Sequence, residues 1–82
     1  MGDRVTQEDI DIIFGNAEKD VQTVFNKCTI MACKLENGFI LVESSACVNP
    51  ENYDFNLGIK ICEEKIKNKL WELEGYLLQN GR

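Results

Sequence analysis

The sequence predicts an α+β domain: a short N-terminal helix, a three-stranded antiparallel sheet, and a long C-terminal helix packed on one face of that sheet. Three observations predict it. Apolar residues recur at helical spacing from Ile59 to Leu77. Two strand-like runs, Cys28 to Glu36 and Phe39 to Ser45, flank an Asn37-Gly38 pair, the strongest short-range hairpin signal. A third alternating run, Glu18 to Phe25, precedes them and turns at Asn26-Lys27.

The elements follow in chain order. Thr6 is an N-cap with Asp9 three residues on, a capping-box variant. Ile10, Ile13 and Phe14 give that helix its apolar stripe, and Gly15-Asn16 ends it. With Asn37-Gly38 as a two-residue type I′ loop, Leu35 faces Ile40 and Cys33 faces Val42. Met31, Cys33, Leu35, Ile40 and Val42 then form the face under the long helix. Lys34, Glu36, Phe39, Leu41 and Glu43 form the opposite one, with Ala32 and Ile30 further along. Asn49-Pro50 breaks regular structure. Asp54 caps the final helix, Phe55 to about Leu78. Its residues Ile59, Cys62, Ile66, Leu70, Leu73 and Leu77 are spaced three, four, four, three and four apart, an a/d seam. Leu57, Ile61, Trp71 and Leu78 lie off the seam and suit a second contact. Asn80-Gly81 closes the helix, and Gly75 inside it costs about 1 kcal/mol relative to Ala.

Residues 1–82 make one domain. A chain this size buries only ~60–65% of its unfolded surface, so small domains add a disulfide, a metal or subunit contacts. The four cysteines, Cys28, Cys33, Cys47 and Cys62, contain no C-x-x-C pair, and the chain has no His. A zinc site is therefore not expected, and no other metal or cofactor is implied. Met1-Gly2-Asp3-Arg4 carries no apolar leader. A reducing, intracellular setting is expected, with the cysteines as small hydrophobes. No run is long enough to span a membrane. Oligomerisation remains as the source of added stability.

The net charge of −5 argues against a DNA- or RNA-polymer binder, which needs a basic footprint. It leaves room for a small phosphorylated ligand held by local cations or a helix N-terminus. No enzyme constellation stands out: there is no His, no G-x-S-x-G and no phosphate-binding P-loop. Phe39 beside charges is either an aromatic platform for a ligand or a packing residue against the first helix or another subunit. The run Ser44 to Asp54 is either an ordinary loop or a polar ligand site ending at a helix N-terminus, with Lys60 close by. Lys65, Lys67 and Lys69 with Glu63 and Glu64 form a solvated helix face. The other reading is that symmetry gathers some of these lysines into a cationic pocket.

Three stretches carry a resemblance over about Cys28 to Leu78. They are Leu35-Glu36-Asn37-Gly38-Phe39, Glu43-Ser44-Ser45-Ala46-Cys47-Val48-Asn49-Pro50-Glu51-Asn52-Tyr53-Asp54 and Leu70-Trp71-Glu72-Leu73-Glu74-Gly75-Tyr76-Leu77-Leu78. In that order they resemble a widespread family of small tailed-phage proteins, with the pattern N-G-F, S-A-C-V-D-P-x-N-F-D and K-I-W-x-L-E-G-Y-L-L. The chain is similar in size and motif order to that family's Thoeris anti-defence sponges. The resemblance implies a non-enzymatic protein of the host cytoplasm that sequesters cyclic ADP-ribose-type signals made by TIR-domain enzymes, and in some members cyclic oligonucleotides such as cyclic trinucleotides. It implies pockets between subunits, with a dimer as the unit and a hexamer as the larger assembly. It places an aromatic at Phe39 and an Asn at Asn49, with Glu43, Glu51 and Asn52 as further polar candidates. Lys60, Lys65 and Lys69 are the cations that geometry offers. The alternative expectation is a phage protein that binds a host protein and no small molecule.

Overall fold

The computed structural model describes residues 4–81, so most of the Met1-Gly2-Asp3-Arg4 start read for a leader lies outside the described residues. The order is α1 (Gln7–Asn16), β1 (Glu18–Val24), β2 (Cys28–Lys34), β3 (Ile40–Ala46), a 3-10 turn (Pro50–Asn52) and α2 (Phe55–Asn80). The three strands form one antiparallel sheet in the order β1-β2-β3. The predicted α+β architecture is what the chain adopts: α2 crosses β2 and β3 on one face, and α1 lies against α2.

Local chemistry sets the element ends. Thr6 accepts from the Asp9 backbone N–H at 3.2 Å, and the Asp9 carboxylate accepts from the Thr6 N–H at 2.9 Å, a complete capping box. Those bonds hold the Asp9 carboxyl below the ordinary carboxylate value. The Lys19 ammonium donates to the carbonyls of Phe14 and Ala17 at 2.6 and 2.8 Å, satisfying orphan acceptors where α1 ends. At the other helix, Asp54 accepts from the Leu57 N–H at 3.1 Å.

The core lies between sheet and helices: Ile10, Phe14, Ala17, Met31, Cys33, Cys62, Ile66 and Leu70. Along α2 the buried positions are Gly58, Cys62, Ile66 and Leu70, a four-residue row rather than the expected heptad seam. Leu77 of that seam is 60% exposed. The row begins at Gly58 because α2 touches the sheet there: a Cβ at Gly58 would overlap Thr29 Oγ1. Cys33 and Cys62 are fully buried, and burial raises both thiols above their ordinary value. They act as small hydrophobes rather than nucleophiles.

The hairpin register differs from the expected one. Leu35 N–H donates to the Phe39 carbonyl and Gly38 N–H to the Leu35 carbonyl, both at 2.8 Å. The loop therefore has three residues, Glu36-Asn37-Gly38, and only Gly38 takes positive φ, at 91°. This is a type I turn followed by a left-handed bulge glycine, not a type I′ turn. Cys33 pairs with Leu41 and Ala32 with Val42. The one-residue shift turns every β3 side chain over. Leu41, Glu43 and Phe39 move to the helix side with Met31, Cys33 and Leu35. Ile40 and Val42, each 58% exposed, join Ile30 and Ala32 on the open side.

Candidate functional site

The bulge at Gly38 carries Phe39 over the last third of α2. There Phe39 and Tyr76 line a cleft of about 170 Å³ with Leu35, Leu73, Leu77 and the polar pair Asn37 and Glu74. Phe39 is 50% and Tyr76 67% exposed. Aromatic rings of this size are ordinarily driven inward, yet the core is complete without either one. A second cleft of about 310 Å³ adjoins it across Leu35, Asn37 and Glu74, and adds Ile13 and Glu36. The Asn37 side chain holds the turn: its Oδ1 accepts from the Phe39 N–H at 3.0 Å.

The other candidates lie elsewhere. Asn49, Glu51 and Asn52 sit in the turn beyond β3, and Lys60 in the second turn of α2. The seven residues of β3 alone put about 20 Å between Phe39 and this group. Asn49 already has a local task, since its Oδ1 accepts from the Glu51 N–H at 3.0 Å as cap of the 3-10 turn. Asp54 sets its own carboxylate at the mouth of α2, on the Leu57 N–H, so that helix start already holds a negative charge where an anion would bind. Asn52 lines a separate cleft of about 180 Å³ with Ser45, Cys47, Tyr53, Leu57 and Ile61.

Glu43 lies midway along β3 on the helix side, half-buried. Lys65 reaches β3 beside it and donates to the Ser44 carbonyl at 2.6 Å. Lys69, one turn further along α2, is exposed, as is Lys60. Lys67 belongs to the fold: it pairs with Asp11 at 3.0 Å and Glu63 at 3.2 Å, and both it and Lys19 lie over the Phe14 ring, at 5.2 and 4.5 Å. One protomer therefore holds an aromatic cleft at one end and the Asn49 turn at the other. Lys65 and Lys69 line the way between, and no single cleft gathers these candidates.

Three residues escaped the sequence reading. Tyr76 and Glu74 join the cleft only because of the shifted register, and the x-Asn-Gly tripeptide suits both turn types. Tyr53 ties the loop to the sheet: its hydroxyl bonds Thr29 Oγ1 at 2.5 Å and Thr23 Oγ1 at 3.0 Å. Its signal was the buried, otherwise unpartnered threonine hydroxyl that only a fold reveals.

Among the described residues no group of His, Cys, Asp and Glu is arranged to hold a metal ion, and no helix is long and apolar enough to cross a membrane. Neither curated proteins nor solved structures returned a match to the chain. The profile of one protein family does, over residues 5–81, nearly the whole chain including all three of these clefts. The chain thus belongs to the phage protein (N4 Gp49/phage Sf6 gene 66) family.

Proposed function

We propose that this phage protein binds and sequesters cyclic ADP-ribose-type signalling nucleotides, with cyclic trinucleotides as further ligands, and releases them chemically unaltered in the host cytoplasm. The observation that carries the reading is the Phe39–Tyr76 cleft, an aromatic pair left open to solvent outside a core that does not need it. A base stacked on an aromatic ring gains about 1–3 kcal/mol.

The cleft's volume, about 170 Å³, is below the ~300–1,000 Å³ of sites that enclose a whole drug-sized ligand. One protomer accommodates a base, and a second copy supplies the rest of the site. That copy meets the hairpin end beside the cleft, and the open side of the sheet opposite it, with Ile30, Ala32, Ile40 and Val42, is a further surface on which copies meet in this reading. A dimer is the unit and a hexamer the larger assembly. Lys60, Lys65 and Lys69 are the cations for the pyrophosphate, since the α2 start is occupied by Asp54. A sponge needs tight binding and no chemistry, which suits a chain without His and with its two core thiols pushed toward their neutral form.

The test is a thermal-shift and calorimetry panel of cyclic ADP-ribose isomers and cyclic di- and trinucleotides, followed by heat release of the bound ring. Binding by the wild type, recovery of intact ligand, and a 10- to 100-fold loss in Phe39→Ala at unchanged stability are expected. Stabilisation by none of the rings would instead favour a protein partner. A specific feature supports that second reading: Phe25, 86% exposed, is displayed on left-handed backbone (φ 54°) at the β1–β2 turn, a conformation that bulky residues seldom adopt.

A further inference from the structure

We propose that β3 is a docking edge for a second copy of this chain, the two β3 strands pairing antiparallel across a two-fold axis into one continuous sheet. The pairing needs no nucleotide and stands apart from the reading above.

The hydrogen bonds at the two ends of the β2–β3 ladder fix which way the β3 backbone points. The Phe39 carbonyl accepts from the Leu35 N–H at 2.8 Å, and the Cys47 N–H donates to the Lys27 carbonyl at 2.9 Å. Both residues bond inward to β2, and the register between them is unbroken. Inward and outward residues alternate in an antiparallel pair, so Leu41, Glu43 and Ser45 also bond inward. Ile40, Val42, Ser44 and Ala46 turn their N–H and C=O groups to the free edge. Among the described residues only the Ser44 carbonyl of that row has a partner within the chain, the Lys65 ammonium at 2.6 Å.

The opposite edge is built differently. By the same alternation Lys19, Val21 and Thr23 face outward on β1. That strand opens Glu18-Lys19-Asp20, and charges of this kind keep an edge from accepting another strand. β3 carries one charged residue, Glu43, half-buried on the helix side, and neither Lys nor Pro. Open backbone groups along a β-branched, nearly uncharged strand are a template for a further strand.

The occupant that closes this edge is β3 itself. Set against a partner's β1, it would bring the Glu18-Lys19-Asp20 run to the seam and leave a free edge of each kind at the ends, so copies would add without limit. Set against β3, it is self-complementary, and the strand order becomes β1-β2-β3-β3-β2-β1 with a charged β1 at each margin. Full overlap of Ile40–Ala46 centres the axis on Glu43. Ile40 then faces the partner's Ala46, and Val42 faces the partner's Ser44. The Ser44 carbonyl has two acceptor sites and takes the partner's Val42 N–H beside Lys65. Two Glu43 carboxylates opposite one another repel, and the two Lys65 ammonium groups, each held one residue away, offset that repulsion. Antiparallel pairing also sets the Phe39 end of each β3 beside the partner's strand end that leads to Asn49. In the nucleotide reading, the axis thus joins a cleft and a polar turn that one protomer keeps about 20 Å apart.

Amide hydrogen exchange by NMR on the full chain reads the seam, with sedimentation velocity at the same concentration. The outward amides of Val42 and Ser44 are expected to exchange within about tenfold of the inward Leu41, Glu43 and Ser45, and those of Lys19, Val21 and Thr23 about a hundredfold faster. Ser44→Pro removes one outward N–H, a position where an edge strand tolerates proline, and leaves Ile30, Ala32, Ile40 and Val42 in place. It should weaken self-association at least about tenfold, since symmetry removes the bond twice. Ser44→Ala should associate like the wild type. An assembled wild type whose Val42 and Ser44 amides exchange as fast as the outward ones of β1 would overturn the edge pairing and leave the sponge reading standing. A monomeric wild type with the same fast amides, or a folded Ser44→Pro that assembles like the wild type, would overturn it too. If Ser44→Pro does not fold, the wild-type exchange pattern decides alone.

Discussion

Gly58 offers the sharpest test of the packing. It is the buried glycine at which α2 crosses the sheet. A Cβ added there would overlap Thr29 Oγ1 and come within 2.9 Å of Thr29 Cβ. Thr29 is fully buried, and its hydroxyl is held by Tyr53 at 2.5 Å. Gly58→Ala therefore sets two effects against each other. Helix propensity favours Ala by about 1 kcal/mol. Overpacking a close-packed contact costs about 1–3 kcal/mol. Rotating or displacing Thr29 adds about 1–3 kcal/mol for a buried hydroxyl deprived of its partner. The net expectation is a loss of about 1–5 kcal/mol, which for a domain of this size lowers Tm by roughly 4–8 °C per kcal/mol. Urea unfolding at fixed protein concentration measures it, since association would otherwise shift the midpoint. Gly75 is the control within the same helix, because nothing lies within 4 Å of a Cβ there. Gly75→Ala should gain about 0.5–1 kcal/mol. If Gly58→Ala matched Gly75→Ala, the close approach of α2 to Thr29 would be wrong.

Two further outcomes follow from charge and from the open sheet face. The Gln7 amide and the Lys67 ammonium hold Asp11 below the ordinary carboxylate value of 3.8, and the bond to Asp11 holds Lys67 above 10.5. The Asp11 contribution is complete above pH 3.8 and is lost as pH falls through its lowered value; that of Lys67 is complete below pH 10.5 and is lost as pH rises through its raised one. Urea midpoints of wild type and Lys67→Met should therefore differ at pH 7 and converge as pH drops well below 3.8; a gap constant down to pH 2 would refute the pairing. Val42, 58% exposed between Ile40 and Ser44 on β3, lies on the surface assigned to a second copy. Val42→Asp should keep its circular dichroism and lose self-association by sedimentation velocity, whereas an unchanged mass would move the contact off this face.

Much of the fold was legible because local and global signals agree. The Thr6–Asp9 box, the Asp54 cap and the β2 alternation each depend on side chains a few residues apart, whereas along β1 the half-buried residues are Val21 and Val24 rather than an alternating set, and Phe25 falls in the turn beyond the strand. Two features were not legible. The contact row of α2 starts at a glycine, and hydrophobic spacing says nothing about a position whose value is the absence of a side chain. The β3 register turned on whether Asn37 and Gly38 would both take positive φ, as in a type I′ turn, or Gly38 alone, and both Asn and Gly tolerate that region. Only the requirement that Leu41, rather than Val42, oppose Cys33 under α2 decides it. The candidate site suffered more than the core. Phe39 and the Asn49 turn were legible as features, but their separation along β3 was not.

The register also explains why the aromatic cleft exists at all. In a two-residue loop Phe39 would stand on the open side of the sheet, in line with Lys34, and α2 would pass beneath Ile40 and Val42. The extra residue instead delivers Phe39 to the helix side, beyond the last core contact at Leu70, where α2 continues for ten more residues to Asn80. That overhang has no strand beneath it to bury Leu73, Tyr76 and Leu77, so the hairpin end becomes an apolar neighbour, with Ile13 of α1 beside it. Gly38, at φ 91°, is what makes the arrangement affordable, since an L-residue there pays roughly 1–2 kcal/mol for left-handed backbone. The turn, the overhanging helix and the exposed rings are thus one device. Fold stability resides in the layer from Ile10 to Leu70, and the far end is left free to be completed by whatever binds it.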